Sequence, residues 1–295
     1  MRYLLNALKY IQRKVFNPYC KYVDFLSRLG NNIPLHESEL KVSRTEMYVV
    51  TIAYNDERLI RKQIEAVKTF ITDEHYKHII VDNSPNKKKR TLIREVCQEY
   101  SIDYIPVPLY IHRLISTRLF WCGISHGAAL NWMFYKFLIY RRPVHFALLD
   151  HDIFPTKPYS LTEALGDKPF YGVKRDRGDG WYLWPGFSIF NFEILARIRP
   201  NFLPLMTKKS FLDAGGSIYP QLYKQYEIAD VTFAEDKTFR IKNTAGLKDV
   251  YHGDCIQMID NAWLHLINGS NYAHVKGKEE TITQFLAGKP FQNQG

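Results

Sequence analysis

The chain has 295 residues, of which 46% are hydrophobic and 15% aromatic, and a formal net charge of +10. This composition excludes a disordered or low-complexity protein and leaves room for one large or two modest domains with a buried core. The basic charge favours an anionic partner, a class that includes nucleotides, nucleic acid and acidic membrane surfaces. The four cysteines lack any Cys-x-x-Cys spacing, which argues against a zinc site or a disulfide framework and favours a reducing compartment.

The sequence contains no run of about 20 apolar residues of the kind that spans a bilayer. Its first residues also lack the continuous apolar core and small-residue cleavage site of a signal peptide. We therefore expect a cytoplasmic protein, either free or bound peripherally to the inner face of the membrane.

Residues 1–45 form a basic segment that precedes the main pattern. Leu4, Leu8, Ile11 and Val15 recur at helical spacing, which predicts an amphipathic helix. The first 30 residues contain six basic residues and one acid. Such a helix can lie on an anionic membrane surface, or it can pack on the following domain with its lysines in water. The sequence leaves both interpretations open.

Strands alternate with helices from residue 46 onward. Apolar β-branched stretches predict strands, and amphipathic stretches between them predict helices. The predicted strands cover residues 47–53, 78–81, 102–107, 145–150, 170–173 and 187–192. The predicted helices cover residues 59–70, 87–100, 127–140 and 193–197. This alternation predicts an α/β fold with a doubly wound, mainly parallel sheet over residues 46–295 and an N-terminal helical extension.

Polar side chains follow three of the predicted strands. Residues 54–57 follow the first strand, residues 82–83 end the second, and Asp150 and Asp152 lie at the end of a later one. Open α/β sheets bind ligands at the carboxyl ends of their strands. Two carboxylates one residue apart suit Mg²⁺ or Mn²⁺, and Mg²⁺ is often shared with substrate phosphates. The pattern therefore predicts a divalent metal and a phosphate-bearing substrate.

Two common nucleotide-binding signatures are missing from the sequence. No Gly-x-Gly-x-x-Gly follows the first strand, which argues against a dinucleotide-dependent dehydrogenase. No Gly-Lys-Ser/Thr phosphate loop is present either. A nucleic-acid-binding function is disfavoured, because the basic residues are spread along the chain without an RNA-binding motif.

Four segments, taken in order, resemble the glycosyltransferases of the GT-A fold, most closely the family 2 group. Residues 49–57 are similar to the family's first strand and nucleotide-binding turn, and residues 79–84 to its second strand. Residues 148–152 are similar to its Asp-x-Asp motif, and residues 184–192 to its acceptor-side segment. The resemblance covers about residues 47–272.

This resemblance implies a nucleotide-binding half at about residues 46–155 and an acceptor half at about residues 156–295. The implied donor is a nucleotide sugar, with UDP as the expected nucleotide, and the acceptor is a glycan, a lipid-linked molecule or another hydroxyl compound. The expected nucleotide-binding residues are Ala53, Tyr54, Asn55, Glu57, Asp82, Asn83, His126 and Asp150. The expected acceptor-binding residues are Trp184, Pro185 and Gly186.

The chemistry implied by the resemblance is metal-dependent sugar transfer with inversion at the anomeric carbon. A divalent metal, Mn²⁺ or Mg²⁺, stabilises the charge of the leaving nucleoside diphosphate. The expected metal ligands are Asp150, Asp152 and the late histidines His252 and His265. The resemblance implies the histidines because some GT-A enzymes complete the metal shell with one late histidine. An inverting enzyme also needs a carboxylate that accepts the proton of the acceptor hydroxyl. The candidates are Asp213, which is preferred, and Asp236. A retaining mechanism, a nucleotidyltransferase and a catalytically inactive nucleotide-sugar-binding protein are the alternatives.

Overall fold

The computed structural model describes residues 2–30, 33, 47–115, 123–240 and 255–267. The described helices are α1 (Arg2–Ser27), α2 (Glu57–Phe70), α3 (Lys87–Glu99), α4 (Leu109–Ile115), α5 (Ile124–Met133), α6 (Ile139–Arg141), α7 (Leu161–Leu165) and α8 (Phe192–Arg197). The described strands are β1 (Met47–Ala53), β2 (Tyr76–Asp82), β3 (Asp103–Pro106), β4 (His145–Asp150), β5 (Ile153–Pro155), β6 (Phe170–Asp176), β7 (Trp181–Asn191), β8 (Leu205–Met206), β9 (Phe211–Leu212), β10 (Asp236–Arg240), β11 (Cys255–Ile259) and β12 (Trp263–His265).

The central sheet has six strands in the order β3-β2-β1-β4-β7-β6. The first four run parallel, whereas β7 is antiparallel to β4 and β6 is antiparallel to β7. Tyr48, Val50 and Ile52 of β1 join the apolar cluster on one face of the sheet. Met47 and Val49 join the cluster on the other face. Because both faces are covered, β1 is buried throughout, as its continuous apolar run predicts. The expected α/β fold with a mainly parallel sheet is confirmed.

The register of the sheet brings three strand ends to one edge. Ala53 of β1 pairs with Asp82 of β2, and Ile52 of β1 pairs with Asp150 of β4. The polar residues that follow these strands are therefore neighbours in space, although the sequence separates them by tens of residues.

A second, four-stranded sheet begins directly after the Asp-x-Asp segment, in the order β10-β11-β12-β5. Strands β12 and β5 pair antiparallel, with His265 opposite Ile153. The amide of Leu266 also donates to the carbonyl of Asp152 at 3.0 Å. This pairing carries the late histidine to the carboxyl end of β4.

Two predicted elements begin at least three residues earlier in the structure than the sequence predicts. The long helix expected over residues 127–140 begins earlier, at Ile124, because Gly123 adopts a left-handed conformation (φ 65°) that starts α5 there. A π-helical turn over Phe134–Leu138 then separates α5 from α6, which breaks the regular helical bond pattern. The strand expected over residues 187–192 begins at Trp181, because its pairing with β6 continues past an irregularity after Gly172.

Helix α1 is built into the core on one of its faces. Phe16, Cys20 and Val23 are at most 4% exposed and join the apolar cluster that also contains α5 residues. Asn17 bonds Met206 twice, because its Nδ2 donates to the carbonyl and its Oδ1 accepts from the amide, both at 2.9 Å. No helix in the described part of the chain is long and apolar enough to cross a bilayer.

Asn131 of α5 is fully buried and joins three segments through its side-chain hydrogen bonds. Its Nδ2 donates to Asp24 Oδ1 at 2.8 Å and to Asn201 Oδ1 at 2.9 Å, and its Oδ1 accepts from the Phe202 amide at 2.7 Å. We predict that Asn131→Ala lowers the free energy of unfolding by about 2–3 kcal/mol, because the Phe202 amide is left buried without an acceptor. Urea denaturation measures this difference.

The matched control is Asn86→Ala, which removes an exposed side chain that caps α3 by accepting from the amides of Lys88 and Lys89. Loss of such a cap costs about 1 kcal/mol. Equal losses in the two variants would contradict a central role for Asn131.

Candidate active site

A cavity of about 540 Å³ lies at the carboxyl ends of β1, β2 and β4. Its size falls within the range of about 300–1,000 Å³ that is typical of ligand pockets. The predicted site residues that line it are Tyr54, Asn83, His126, Asp150, Asp152, Trp184, Asp213 and His265. The structure thus brings together residues from both predicted halves of the domain.

Three carboxylates line this cavity: Asp150, Asp152 and Asp213. Burial and the neighbouring charge of Asp152 raise the pKa of Asp150 to about 7. The charge of Asp213 adds to the same effect. Nδ1 of His126 is 3.4 Å from Asp150 Oδ1, but burial lowers the pKa of this histidine to about 4, so it does not supply a positive charge at neutral pH. The electrostatics of the cavity therefore favour a bound cation.

A buried polar network anchors the backbone of the Asp-x-Asp turn. Gln63 Nε2 donates to the carbonyls of Asp150 and Ile153, each at 2.7 Å. The hydroxyl of Thr51 donates to Gln63 Oε1 at 2.7 Å. Since that hydroxyl has one hydrogen, its 3.0 Å contact with His78 must use an N–H on Nε2. The turn that carries the two carboxylates is therefore fixed to β1, β2 and α2.

Gly186 makes room for the carboxylate of Asp150. A Cβ at this position would lie 2.6 Å from Asp150 Oδ2 and 2.2 Å from the indole of Trp184. The Trp184 ring itself packs against His265, with centroids 4.5 Å apart. The guanidinium of Arg175 lies 5.3 Å from its ring centroid. Any larger residue at Gly186 would displace the Trp184 indole or the Asp150 carboxylate.

A hydrogen-bonded chain sets the orientation of His265. Gln257 Nε2 donates to Asp236 Oδ2, and Arg175 Nη1 donates to the same oxygen at 2.7 Å. Because a carboxylate only accepts, the other end of the Gln257 amide is its oxygen, which lies 2.9 Å from His265 Nδ1. Nδ1 therefore carries the proton. Nε2 lies 3.8 Å from Asp152 Oδ1, beyond hydrogen-bond distance.

The donor atoms at Asp152 and His265 fit a divalent metal that also takes ligands from a substrate. Among the described residues, no group of three His, Cys, Asp or Glu side chains is placed to hold a metal by itself. Mg²⁺ is commonly held by one or two carboxylates together with substrate phosphates, and mixed oxygen and imidazole ligands suit Mn²⁺. The other expected histidine, His252, lies outside the described residues.

Polar groups without partners line the same cavity. Oδ1 of Asn83, Nε2 of His126 and Nε2 of His151 are buried and have no hydrogen-bond partner within the part of the chain that the structure describes. Each such atom costs about 1–3 kcal/mol unless a ligand or water satisfies it. Arg175 and Arg177 also line the cavity and add two positive charges. The arrangement is suited to a polar, anionic ligand.

The lining residues that were not assigned from the sequence include Ser125, His151, Arg175 and Arg177. The signal for the arginines was their position in a polar, glycine-rich loop at residues 175–180. Nothing in the sequence places that loop beside β4. That placement depends on the antiparallel addition of β7 and β6 to the parallel sheet.

Several expected nucleotide-binding residues are used within the protein. Asp82 is fully buried. Its Oδ1 accepts from the Ser84 amide at 2.8 Å and its Oδ2 from the Tyr104 hydroxyl at 2.7 Å. Glu57 pairs with Lys89 at 2.8 Å. The expected residues that are not among the described lining residues are Ala53, Asn55, Glu57, Asp82, Pro185, Gly186 and Asp236. Asn83 is the member of the Asp82–Asn83 pair that reaches the cavity.

Asp213 follows β9 in a tight turn. Its Oδ1 accepts from the Ala214 amide at 2.8 Å, and Gly215 has a φ of 88°, which favours glycine. A Cβ at Gly123 would lie 2.0 Å from the same Oδ1. The second oxygen of Asp213 is not used by this backbone bond, and the residue is half-buried.

No family model and no curated protein matches the chain. Among solved structures, it is similar to the WbbM bifunctional glycosyltransferase in its apo form, with 15% identity and a TM-score of 0.37 over 57% of this chain and 34% of that one. It is also similar to the mannosyltransferase PcManGT from Pyrobaculum calidifontis in complex with GDP-Man and Mn²⁺. The identity is 14% and the TM-score is 0.36, over 66% of this chain and 58% of that one. A third similar structure is core-mannan synthase A from Aspergillus fumigatus in its Mn/GDP form. Its identity to the chain is 10% and the TM-score is 0.36, over 57% of this chain and 65% of that one.

The chain thus spans between a third and two thirds of the lengths of these three proteins. Similarities of this size carry no argument about activity.

The network under the Asp-x-Asp turn gives a pH-dependent stability. Burial, followed by the charge of Lys68, lowers the pKa of His78 to about 3. The unfolded chain has a histidine pKa near 6.5 and so binds the proton first as the pH falls. We predict that the free energy of unfolding decreases between about pH 6.5 and pH 3, by up to about 1.4 kcal/mol per pH unit from this residue.

The comparison is with His78→Gln, which keeps a side-chain N–H but does not titrate. Its deficit in unfolding free energy relative to the wild type should shrink by about 1–2 kcal/mol from pH 7 to pH 5. If the free energies of unfolding of the two proteins, measured by urea denaturation, change with pH in parallel, His78 is not held neutral in the folded protein.

Proposed function

We propose that this chain is a metal-dependent glycosyltransferase that takes a sugar from a nucleoside-diphosphate donor. The observation that carries the proposal is the meeting of Asp150, Asp152 and His265 in one cavity with Arg175 and Arg177. Carboxylates and an imidazole suit a divalent cation. The arginines add positive charge for phosphates, which they bind through a fixed fork of N–H donors.

In the proposal, Asp152 and His265 hold Mn²⁺ or Mg²⁺, with Asp150 beside them. The metal would neutralise charge on the leaving nucleoside diphosphate. Three carboxylates and two guanidinium groups line the cavity, so the site gains an excess of positive charge only when the cation is present. Binding of the donor diphosphate should therefore depend on the metal.

The nucleoside is assigned to the part of the cavity lined by Tyr54, Asn83 and Ser125. Asn83 Oδ1 is a buried acceptor without a partner among the described residues. Its Nδ2 donates to Ser125 Oγ at 3.1 Å and to the Ser125 backbone carbonyl at 3.3 Å. Because a carbonyl only accepts, the second bond fixes the amide orientation. Of the two expected residues Asp82 and Asn83, Asn83 is the proposed contact to the nucleoside, because both carboxylate oxygens of Asp82 are bonded internally. UDP stays the expected nucleotide.

Asp213 is the proposed base of an inverting transfer. Its carboxylate lines the cavity on the side of Tyr182 and Gly123. The acceptor oxygen would form a bond to the anomeric carbon while the bond from that carbon to the diphosphate oxygen breaks. The proton of the acceptor hydroxyl would pass to Asp213.

Asp236 is better suited to a positioning role than to proton transfer. Its Oδ2 accepts from both Gln257 and Arg175. Through Gln257 it fixes the tautomer of His265, so that the lone pair of Nε2 is on the side of Asp152. Groups that orient a metal-binding histidine in this way typically change metal affinity by 10–100-fold, as an order of magnitude, when they are removed.

The proposed metal site can be tested at Asp152. We expect Asp152→Asn to lose the increase in melting temperature that UDP or a UDP-sugar produces with Mn²⁺, because the variant has one fewer charged metal ligand. A panel of nucleoside diphosphates with Mn²⁺, with Mg²⁺ and with a chelator identifies the nucleotide and the metal.

The matched control is Asp167→Asn, an exposed carboxylate outside the cavity, which should behave as the wild type. Nucleotide binding that is equally tight in chelator would contradict the metal-dependent site. Metal-dependent binding without release of nucleoside diphosphate on prolonged incubation with acceptors would favour an inactive nucleotide-sugar-binding protein.

Two single variants separate the two candidate bases. Asp213→Asn should lower kcat by a factor on the order of 10²–10⁴, with little change in donor or metal affinity, because only proton transfer is affected. Asp236→Asn should weaken Mn²⁺ binding by about 10–100-fold and recover much of its activity at high Mn²⁺.

Donor titrations at several Mn²⁺ concentrations distinguish these outcomes. If Asp236→Asn loses kcat at saturating Mn²⁺ while Asp213→Asn keeps it, the roles are reversed. NMR of the product reports the anomeric configuration, and a retained anomer would reject the inverting mechanism.

A further inference from the structure

Helix α1 carries an exposed apolar stripe on the side opposite to its buried face. Val15, Tyr22, Phe25 and Leu29 are 55%, 54%, 60% and 44% exposed. Their spacings of seven, three and four residues place them along one side of the helix and just past its end. Single exposed apolar residues are ordinary, but an aligned set of this kind marks an interaction surface.

The charges beside this stripe are basic. Lys14 and Lys21 are exposed and are separated by seven residues, so they follow the same flank of the helix. Asp24 is the one acid among residues 13–30. It is turned inwards, where it bonds Arg28 at 2.8 Å and Asn131 at 2.8 Å. The exposed side of the described part of α1 therefore has no carboxylate.

A second element adds basic residues to the same flank. Asn17, which lies three residues after Lys14 and four before Lys21, bonds the backbone of Met206 at the end of β8. The turn that follows, between β8 and β9, exposes Lys208 and Lys209. The β8–β9 hairpin is thus attached to α1 on its lysine flank, and we call Lys14, Lys21, Lys208 and Lys209 the basic border.

We propose that this surface docks the protein onto an anionic lipid bilayer. The docking face consists of the apolar stripe, Val15, Tyr22, Phe25 and Leu29, and the basic border, Lys14, Lys21, Lys208 and Lys209. Apolar and aromatic side chains enter the headgroup region of a bilayer, while neighbouring lysines reach anionic headgroups. A second copy of the chain is a poorer occupant, because a two-fold contact would bring the two basic borders together.

The docking face is continuous with the rim of the cavity. The Lys209 amide donates to Asp179 Oδ2 at 2.8 Å, and the Ser210 hydroxyl donates to the carbonyl of Arg177. Arg177 lines the cavity. If the proposed transferase function is correct, an acceptor anchored in the bilayer would approach from this side, which favours a lipid-linked acceptor. The lipid-docking proposal itself does not depend on that function.

The test is co-sedimentation of the full-length protein with vesicles of phosphatidylcholine, with and without phosphatidylglycerol. Deletion of residues 1–30 is unsuitable, because it would also remove Phe16, Cys20 and Val23 from the core. Two double variants are used instead. Tyr22→Ser/Phe25→Ser removes exposed apolar surface, and Lys21→Glu/Lys208→Glu reverses two charges of the border.

We expect the wild type to bind the phosphatidylglycerol vesicles, and to bind them less in high salt. Each double variant should bind at least about tenfold more weakly, with an unchanged melting temperature. The control is Lys88→Glu/Leu92→Ser, which makes the same kinds of change at exposed positions of α3. It should bind within about twofold of the wild type.

Three results would overturn the proposal. The first is a wild type that does not bind the anionic vesicles. The second is an equal loss of binding in the α3 control, which would mean that net charge, and not this face, drives the attraction. The third is a wild type that forms a dimer in analytical ultracentrifugation, together with a Tyr22→Ser/Phe25→Ser variant that is monomeric but binds vesicles as the wild type does. A second copy of the chain, and not a bilayer, would then cover the docking face. Vesicle binding requires no turnover, so its absence would leave the transferase proposal intact.

Discussion

The repulsion between Asp150 and Asp152 is the constraint around which the rest of the cavity is arranged. Both carboxylates lie at the end of a buried strand, and burial together with this repulsion raises the pKa of Asp150 to about 7. Gln63 keeps the turn in place through two backbone carbonyls, so the charges have little freedom to move apart. Gly186 leaves space for the Asp150 carboxylate beside Trp184. A bound cation would relieve the repulsion. In the proposed site, His265 and two arginines lie beside the carboxylates, where they would bind this cation and the phosphates of the donor.

Much of the fold was predictable, because local patterns determine it. The apolar run of β1 and the helical periodicity of α2 follow directly from the residues, and parallel strands end at a common edge. The side-chain directions at those ends were not predictable. Asp82 and Asn83 are adjacent polar residues, yet only Asn83 reaches the cavity, because neighbouring residues at a strand end face opposite ways. The sequence suggested His265 as a metal ligand but did not predict its position. The approach of His265 to Asp152 depends on the register between β5 and β12, and no local sequence pattern determines that register.

Helix α1 shows why the sequence left two interpretations open. Amphipathicity was inferred partly from Val15, whose side chain is exposed, whereas the buried face is formed by Phe16, Cys20 and Val23. The side chains of Leu4, Leu8 and Ile11, which completed the predicted stripe, lie outside the described residues. The described helix has apolar residues on both sides. Packing accounts for one side, and the docking face is proposed for the other. The two interpretations are therefore compatible, because each concerns a different surface of the same helix.

The most direct test of the central claim is the position of Mn²⁺ in crystals grown with a nucleoside diphosphate, located by its anomalous scattering. The account predicts a single strong anomalous peak within bonding distance of Asp152 and His265, about 2.0–2.3 Å from their ligating atoms, with diphosphate oxygens completing its ligands. A nucleotide bound in the cavity with no metal at these residues, or a Mn²⁺ peak that is bound elsewhere while the nucleotide is fully ordered, would contradict it.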